Sequence, residues 1–578
     1  LRPLISLDVF DTAIFRKVLN PTDIFNIVEE QVGHNFKTIR MAAQDRMRRK
    51  DIYYNLIDIY KESAFPFNPK EEIKAEYNNC KANPYVLNMY NNTDADFIFI
   101  SDMYLPATVI KSMLEKCGYK NPQVYVSCEY RALKGDGKLF IKVEKALNRR
   151  ISKHVGDNYY ADIVGAKKAG IPEVEFIGPP VYNKEIVTPP LQNVKLRKIL
   201  VDNELREAST EEKIGYMFAP LILAFTQSVL DEATDKQTVY FNARDSFLMY
   251  IVARWILKTK KKIKYCRFSR KSCLLSDVIT HLSITHQLNS PSLHFFKIQR
   301  AKSLRDFLKL YNISEDRDFS DIYREFGIGL DTDIEFHNRR PLIIERLLMK
   351  CQEEFYSKVR VERKNFLAYL KRIGIKNNDI FVDLGYAGTI QGIIKRISGI
   401  DLKGRYINTY DSTGKYMGHV FEKKSFLPVG LMRSYGGAVI EVIFTEEIGT
   451  VVGYEADGKP ILLQDFKFRK DISRRIFKGA LKGVKDLISE GINKISAHDC
   501  TIILKRYLDK PTIEEALFGS KKIFENGTNG TESITWYDHE FIKEGKLREC
   551  YNKSYWKAAF KLLLSNDPQY KFLTKVIG

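Results

Sequence analysis

The sequence predicts an α/β protein: a doubly wound parallel sheet with a helical cap at the front, then a larger α/β domain with much helix. Three observations carry that reading. Short apolar runs ending in Asp, Ser or Gly alternate with helical stretches, the pattern of parallel sheets. A chain of 578 residues has room for more than one sizeable core. Two proline pairs, Pro179-Pro180 and Pro189-Pro190, bracket a polar connector. The expected divisions are residues 1–180, with a cap over about 13–95, a linker over 181–205, and a second domain over 206–578.

The first element is the run Leu4 to Leu7, a buried strand that delivers Asp8 to its carboxyl end, with Asp11 and Thr12 in the turn beyond. Open α/β sheets bind ligands at that edge. A polar-faced helical pattern from Ile24 to about Tyr90 would form a lid over the site. A second strand, Phe97 to Ile100, ends in Ser101-Asp102, and a helix follows over Ala107 to Lys116. A third strand, Gln123 to Ser127, leads to the basic, glycine-punctuated segment Lys134-Gly135-Asp136-Gly137-Lys138. His154-Val155-Gly156-Asp157 is a further strand and turn, with Asp162 five residues on and a helix through Gly170.

These strand ends supply the parts of a phosphoryl-transfer site. Asp8 is the candidate nucleophile, Ser101 a hydroxyl donor, Lys134 a cation with Lys138 as its rival, and Asp157 with Asp162 a magnesium pair. A dianionic phosphate repels a carboxylate nucleophile unless a metal ion and an ammonium neutralise it.

The four motifs and their order resemble the haloacid dehalogenase (HAD) superfamily over about residues 4–178. The resemblance implies an aspartyl-phosphate on Asp8, phosphate held by Thr12, Ser101 and Lys134 or Lys138, and Mg²⁺ held by Asp8, Asp157 and Asp162. One departure stands out. HAD phosphatases carry a second Asp two residues after the nucleophile, and here that position is Phe10. The dehalogenase branch also lacks it but does not need the acidic pair this chain keeps. The resemblance therefore implies a Mg²⁺-dependent phosphatase in which Asp11 serves as acid and base from a shifted position.

Charge points to the second part. Residues 1–180 hold 26 Lys and Arg against 23 Asp and Glu, so most of the net charge of +20 falls in residues 181–578. Such a surplus suits an anionic partner: a phosphorylated substrate, an acidic membrane surface or nucleic acid. Eight cysteines without C-x-x-C spacing read as reduced thiols of a cytoplasmic protein, and no signal peptide precedes the first strand. The most apolar stretch, Tyr216 to Phe225, is too short for a membrane span and contains Pro220, so a buried helix is expected.

After a helical pattern over Glu211 to Ala233, Thr238 to Ala243 reads as a strand ending in Arg244-Asp245, followed by an apolar helix from Phe247 to Leu257. Ile263 to Phe268 is a second strand, ending in Ser269-Arg270-Lys271. Residues 280–375 are expected to be mostly helical; their His281, His286 and His294 lack metal-ligand spacing. The informative stretch is Ile380-Phe381-Val382-Asp383-Leu384-Gly385-Tyr386-Ala387-Gly388-Thr389-Ile390-Gln391, a strand, an acid, a two-glycine loop and a helix. Glycines let backbone N–H groups close on a phosphate at a helix N-terminus. The clustered cations and carboxylates suit a polyphosphate with Mg²⁺.

The Asp383 loop is faintly similar to the phosphoribosyl-pyrophosphate loop of phosphoribosyltransferases, although Leu384 stands where a second acid is common. The whole set, including Glu441 and Gly449-Thr450-Val451-Val452-Gly453-Tyr454, resembles the dual-domain ribofuranosyltransferases of bacterial surface-polysaccharide assembly. In that family the second domain transfers 5-phosphoribose from phosphoribosyl pyrophosphate to a glycan hydroxyl, and the HAD domain removes the 5-phosphate. The resemblance implies Arg244, Arg270 and Lys271 on pyrophosphate, Gly385, Gly388 and Thr389 on the 5-phosphate, Asp245 and Asp383 on Mg²⁺ or ribose hydroxyls, and Glu441 in acceptor activation.

The implied acceptor is a lipid-linked glycan at the cytoplasmic face of the inner membrane, which the basic, aromatic tail from Lys543 to Lys557 could approach. Three alternatives remain at this level: a nucleotide-sugar glycosyltransferase fused to an independent phosphatase, a nucleic-acid-binding protein with an end-processing domain, and a degraded HAD scaffold. The basic residues do not cluster with aromatics on a clear platform, which disfavours nucleic acid.

Overall fold

The computed structural model describes residues 2–574 apart from 19, 34, 64–67, 178–190, 192, 205, 275, 278–302, 312, 335–336, 434, 436, 447, 464–469, 526–530, 568 and 571–572. His281, His286, His294, both proline pairs and most of the loop at 526–531 thus lie outside the described residues. The chain forms two compact units, residues 1–206 and 207–578.

The first unit is built on strands β1 (Leu4–Leu7), β4 (Asp96–Ser101), β5 (Val124–Val126), β6 (Lys153–Gly156) and β7 (Glu173–Phe176), all parallel, in the order β5-β4-β1-β6-β7. A parallel strand covered on both faces is a continuous apolar run. β1 obeys this, with all four residues buried. Between β1 and β4 the chain leaves through β2 (Ile14–Arg16) and returns through the antiparallel β3 (Cys80–Ala82), and the helices between them form the cap.

Within the cap, helix Phe36–Lys50 is tied to helix Lys70–Asn78 by a buried ion pair, Arg40 to Glu72 at 2.6 and 2.8 Å. A second pair, Arg16 to Glu76 at 2.9 and 3.1 Å, joins β2 to the same helix. The chain re-enters the core on helix Pro84–Asn92, which has proline in its first turn and Asn83 accepting from the Tyr85 N–H. The predicted linker span is not all linker, since Val194–Glu204 is a helix and Val194 packs into the first unit's core.

The second unit carries another five-stranded parallel sheet: β8 (Thr238–Asn242), β9 (Lys262–Cys266), β10 (Ile380–Asp383), β11 (Lys403–Tyr406) and β14 (Lys423–Ser425), in the order β14-β11-β10-β8-β9. A short hairpin, β12 (Gly414–Tyr416) and β13 (His419–Phe421), intervenes before β14. Helix Thr210–Glu232 is long and apolar enough to cross a membrane by length and composition, but most of its residues are buried within the protein, as expected for a core helix. The predicted helix Phe247–Leu257 is instead an α-helical turn, Phe247–Ile251, that runs into a wider π-helical segment, Val252–Ile256.

Candidate active site

In both sheets the strand order reverses once, and the crevice at that point lies at the carboxyl ends of two adjacent strands. In the first unit those strands are β1 and β6, so Asp8 and Asp157 face each other across it. Asp8, Asp11, Ser101, Lys134, Asp157 and Asp162 all line one cleft of about 310 Å³, and Pro21, Phe25, Gln44 and Glu76 close it from the cap side.

Lys134 is the hub. Its Nζ donates to Asp8 Oδ1 and, at 2.5 Å, to Asp162 Oδ1, while its backbone N–H donates to both Asp102 oxygens at 3.1 Å. Asp162 Oδ1 also meets His154 Nε2 at 3.1 Å, and Asp162 Oδ2 accepts the Asn158 N–H at 2.9 Å. Two glycines make these approaches possible. A Cβ on Gly156 would sit 2.3 Å from Asp162 Cγ, and one on Gly165 would sit 2.0 Å from the Lys134 carbonyl oxygen.

The electrostatics follow from burial. Burial raises the Asp8 carboxyl to about 7 despite the opposing Lys134 ammonium, with Asp162 and Asp157 adding to the rise. Burial lifts Asp157 to about 6, helped by Asp11 and Asp162. Burial acts upward on Asp162 too, but Lys134 and the His154 hydrogen bond outweigh it and hold its carboxyl below the usual range. Burial alone would lower the Lys134 ammonium, yet Asp8, Asp162 and Asp102 hold it raised.

Among the described residues Asp8, Asp157 and Asp162 form the one group that could hold a metal, with one oxygen of each within 4.8 Å of the others. An all-oxygen set suits a hard cation, and octahedral Mg²⁺ spaces its ligand oxygens about 3–4 Å apart. The donor set therefore fits Mg²⁺.

Not every expected residue joins the site. Thr12 is fully buried and donates to Asp157 Oδ1 at 3.2 Å, so it orients that carboxylate rather than lining the cleft. Lys138 is an exposed residue paired with Asp136 at 3.1 Å, and Lys134 takes the place for which the two were rivals. Asp11 lies in the left-handed region at φ 62° and lines the cleft beside Phe10, whose ring carries the Arg16 guanidinium at 4.2 Å. Sequence reading missed Asp102, Arg16, Glu76 and Asn158. Asp102 had a readable signal, being the residue directly after Ser101 at a strand end.

In the second unit the reversal falls between β8 and β10, bringing the ends bearing Asn242 to Asp245 beside the Asp383 loop. Asn242 Nδ2 donates to Asp383 Oδ2 at 3.1 Å, and the Leu384 N–H donates to Oδ1 at 2.9 Å. Burial pushes the Asp383 carboxyl well up, Asp245 adds to this, and Arg270 opposes it. Asp245 accepts from Thr445 Oγ1 at 2.8 Å. Tyr386 and Tyr410, which sequence reading passed over, stack at 4.9 Å, and the Glu441 charge acts on both.

Asp383 is buried and bonded to Asn242 and the Leu384 N–H, and what sets it apart from Asp162 is that neither it nor Asp245 belongs to a metal-competent group among the described residues. Gly385 and Gly388 have packing reasons of their own: a Cβ would lie 2.4 Å from the Asn408 carbonyl and 2.8 Å from the Phe421 ring respectively. Thr389 opens helix Thr389–Ser398, Arg270 is exposed, and Arg244 and Lys271 are half-buried on the β8 and β9 side of the crevice. In the tail, Lys553 lies over the Trp536 and Phe541 rings and Lys557 over Tyr551, so these basic residues pack on the aromatics beside them.

Fold and site together define an α/β protein of two doubly wound units, the first with a lysine-bridged carboxylate cluster under a helical cap. No family model matches the chain, and no curated protein matches it. Among solved structures the chain is similar to the crystal structure of an L-2-haloacid dehalogenase, at 12% identity and a TM-score of 0.25, over 31% of this chain and 86% of that one. At that score the likeness adds nothing to the geometry above.

Proposed function

We propose that the first unit is a Mg²⁺-dependent phosphomonoesterase, and that the second transfers 5-phosphoribose from phosphoribosyl pyrophosphate to a glycan hydroxyl, leaving the phosphate that the first removes. The observation that supports the first half is the convergence of Asp8, Lys134, Asp157 and Asp162 on one capped cleft.

Mg²⁺ held by Asp8, Asp157 and Asp162 would neutralise phosphate oxygens. Asp8 attacks phosphorus, the bond from phosphorus to the leaving oxygen breaks, and that oxygen takes a proton from Asp11. Water then attacks the phosphoaspartate and gives its proton to Asp11, so phosphate departs and Asp8 is restored. Ser101 donates to a phosphate oxygen, and the Lys134 ammonium balances charge that would otherwise keep the nucleophile protonated.

For the second half, support comes from Asp245, Arg270, Asp383 and Glu441, whose charges act together about Tyr386 and Tyr410 with Arg244 at the adjoining strand end, and from the basic surplus of residues 181–578. Fusion would keep the phosphorylated product at high local concentration for the phosphatase. The same reading places the protein in the cytoplasm, working on a lipid-linked acceptor at the inner membrane, with no nucleic acid partner.

The test has two arms. With Mg²⁺ and ribose 5-phosphate, the protein should release inorganic phosphate and Asp8→Asn should not; release by the variant overturns the first half. With phosphoribosyl pyrophosphate and a panel of glycan acceptors, mass spectrometry should find a pentose-phosphate adduct that accumulates in Asp8→Ala. Turnover of a nucleotide sugar, with no such adduct, overturns the second half, as does unchanged donor consumption by Asp383→Asn.

A further inference from the structure

Behind the carboxylate cluster runs a buried chain that the proposed reaction does not use. Ser6 on β1 and His154 on β6 are both fully buried, and Ser6 Oγ lies 2.8 Å from His154 Nδ1. His154 Nε2 lies 3.1 Å from Asp162 Oδ1, the oxygen that also accepts Lys134 Nζ. The Phe140 ring meets the imidazole edge-on at 4.7 Å and fixes its plane. A carboxylate oxygen only accepts, so Nε2 carries the hydrogen. The Asp162 carboxylate thus selects the tautomer; in the neutral ring Nδ1 is then an acceptor, and the Ser6 hydroxyl is the donor it faces.

We propose that His154 is a positioning residue for the phosphatase site: it fixes the Asp162 carboxylate and, through it, the Lys134 ammonium against Asp8, with Ser6 holding the Nδ1 side of the ring. Asp162 takes three donors on its two oxygens: Lys134 Nζ, His154 Nε2 and the Asn158 N–H. Remove His154 Nε2 and the carboxylate can rotate toward the cation it shares with Asp8, taking the ammonium with it. Partners of this kind behind a charged cluster change activity or metal affinity by about 10–100-fold.

The inference rests on the phosphatase reading only for its activity arm. His154→Gln keeps an N–H near the Nε2 position, whereas His154→Asn keeps one only near Nδ1. Expected with ribose 5-phosphate and Mg²⁺ is a kcat about 10–100-fold lower in His154→Asn with KM within about threefold, and recovery to within about threefold of wild type in His154→Gln. Ser6→Ala, which removes one hydroxyl, should show the same kcat loss in weaker form.

The second readout needs no turnover: Mg²⁺ affinity of the resting full-length protein, taken from the shift in thermal midpoint, should fall in His154→Asn and not in His154→Gln. If wild type binds Mg²⁺ but hydrolyses no phosphomonoester, the phosphatase reading has failed, and the affinity series alone decides the positioning role. Equal behaviour of the Gln and Asn variants in both readouts overturns it. Should His154→Asn not fold, a Ser6→Ala protein with wild-type kcat and wild-type Mg²⁺ affinity overturns it equally.

Discussion

Asp8→Asn should abolish phosphate release and at the same time make the metal-free protein more stable, by an amount that grows with pH. Asp8 is 6% exposed, and burial raises its carboxyl from 3.8 to about 7 even with the Lys134 ammonium bonded to it. A carboxyl whose folded value lies above its unfolded value contributes nothing adverse below the unfolded value. It loses stability as pH rises from there to the folded value. At about 1.4 kcal/mol per unit, ionised Asp8 costs about 4 kcal/mol above pH 7 and about 2 kcal/mol near pH 5. Asn mimics the protonated form and avoids that loss at every pH.

Urea unfolding in EDTA at about pH 5 and about pH 8 reads the difference directly. Wild type and variant should draw apart as pH rises, and Mg²⁺ should close the gap by stabilising wild type alone. If Asp8→Asn is the less stable protein at pH 8 in EDTA, the lost Lys134 contact outweighs the desolvated carboxylate and the electrostatic account is wrong.

Mg²⁺ binding should release protons, because Asp8 at about 7 and Asp157 at about 6 are partly protonated near neutrality; calorimetry in buffers of different ionisation enthalpy should show affinity rising from pH 6 to 8, and pH-independent binding would exclude these two carboxylates as ligands. Gly165→Ala would set a methyl 2.0 Å from the Lys134 carbonyl, so kcat should fall at least about tenfold as the ammonium is displaced, with stability down by about 1–3 kcal/mol in urea melts. Arg40→Met leaves Glu72 buried with Tyr60, at 3.1 Å, as its one remaining side-chain donor among the described residues, and should destabilise the cap by about 3–5 kcal/mol, seen as early proteolysis within residues 24–78.

Strands with an apolar run or an apolar alternation were legible from sequence, the edge strands β5 and β9 included, and strands dominated by charge were not, for one physical reason. β1, β4, β8 and β10 are covered on both faces and therefore read as unbroken apolar runs ending at the residues that matter. β7, β11 and β14 carry Glu, Lys and Arg along their length. In β11 the polar residue is doing structural work of its own, since Arg405 binds Glu232 and Glu422, and no local pattern announces that. The β2–β3 pairing joins residues more than 60 positions apart, which composition cannot show.

The site divides in the same way. Asp8, Ser101 and Asp157 were readable because each sits at or just past a strand end, and Asp162 because it follows Asp157 in the helical segment after β6. Lys134 could not be separated from Lys138 by spacing. What separates them is Gly165, whose missing side chain lets the Lys134 backbone settle against the following helix and turn its ammonium inward.

The two crevices share a topological origin but differ in charge logic. In the first, Asp8 and Asp162 share one ammonium with Asp157 beside them, leaving a surplus of negative charge that a bound cation or a proton relieves. In the second, Asp245 and Asp383 gather no third metal-competent partner among the described residues, and the nearby cation, Arg270, stays exposed. A crevice arranged that way offers its positive charge, not a carboxylate cluster, to whatever enters. Magnesium should therefore reach the second unit only together with an anionic ligand. Titrating the Asp8→Asn protein with Mg²⁺, with and without phosphoribosyl pyrophosphate, separates the cases: heat of binding for Mg²⁺ alone that survives in Asp8→Asn and Asp157→Asn together and is lost on adding Asp383→Asn would mean that Asp245 and Asp383 hold a cation of their own.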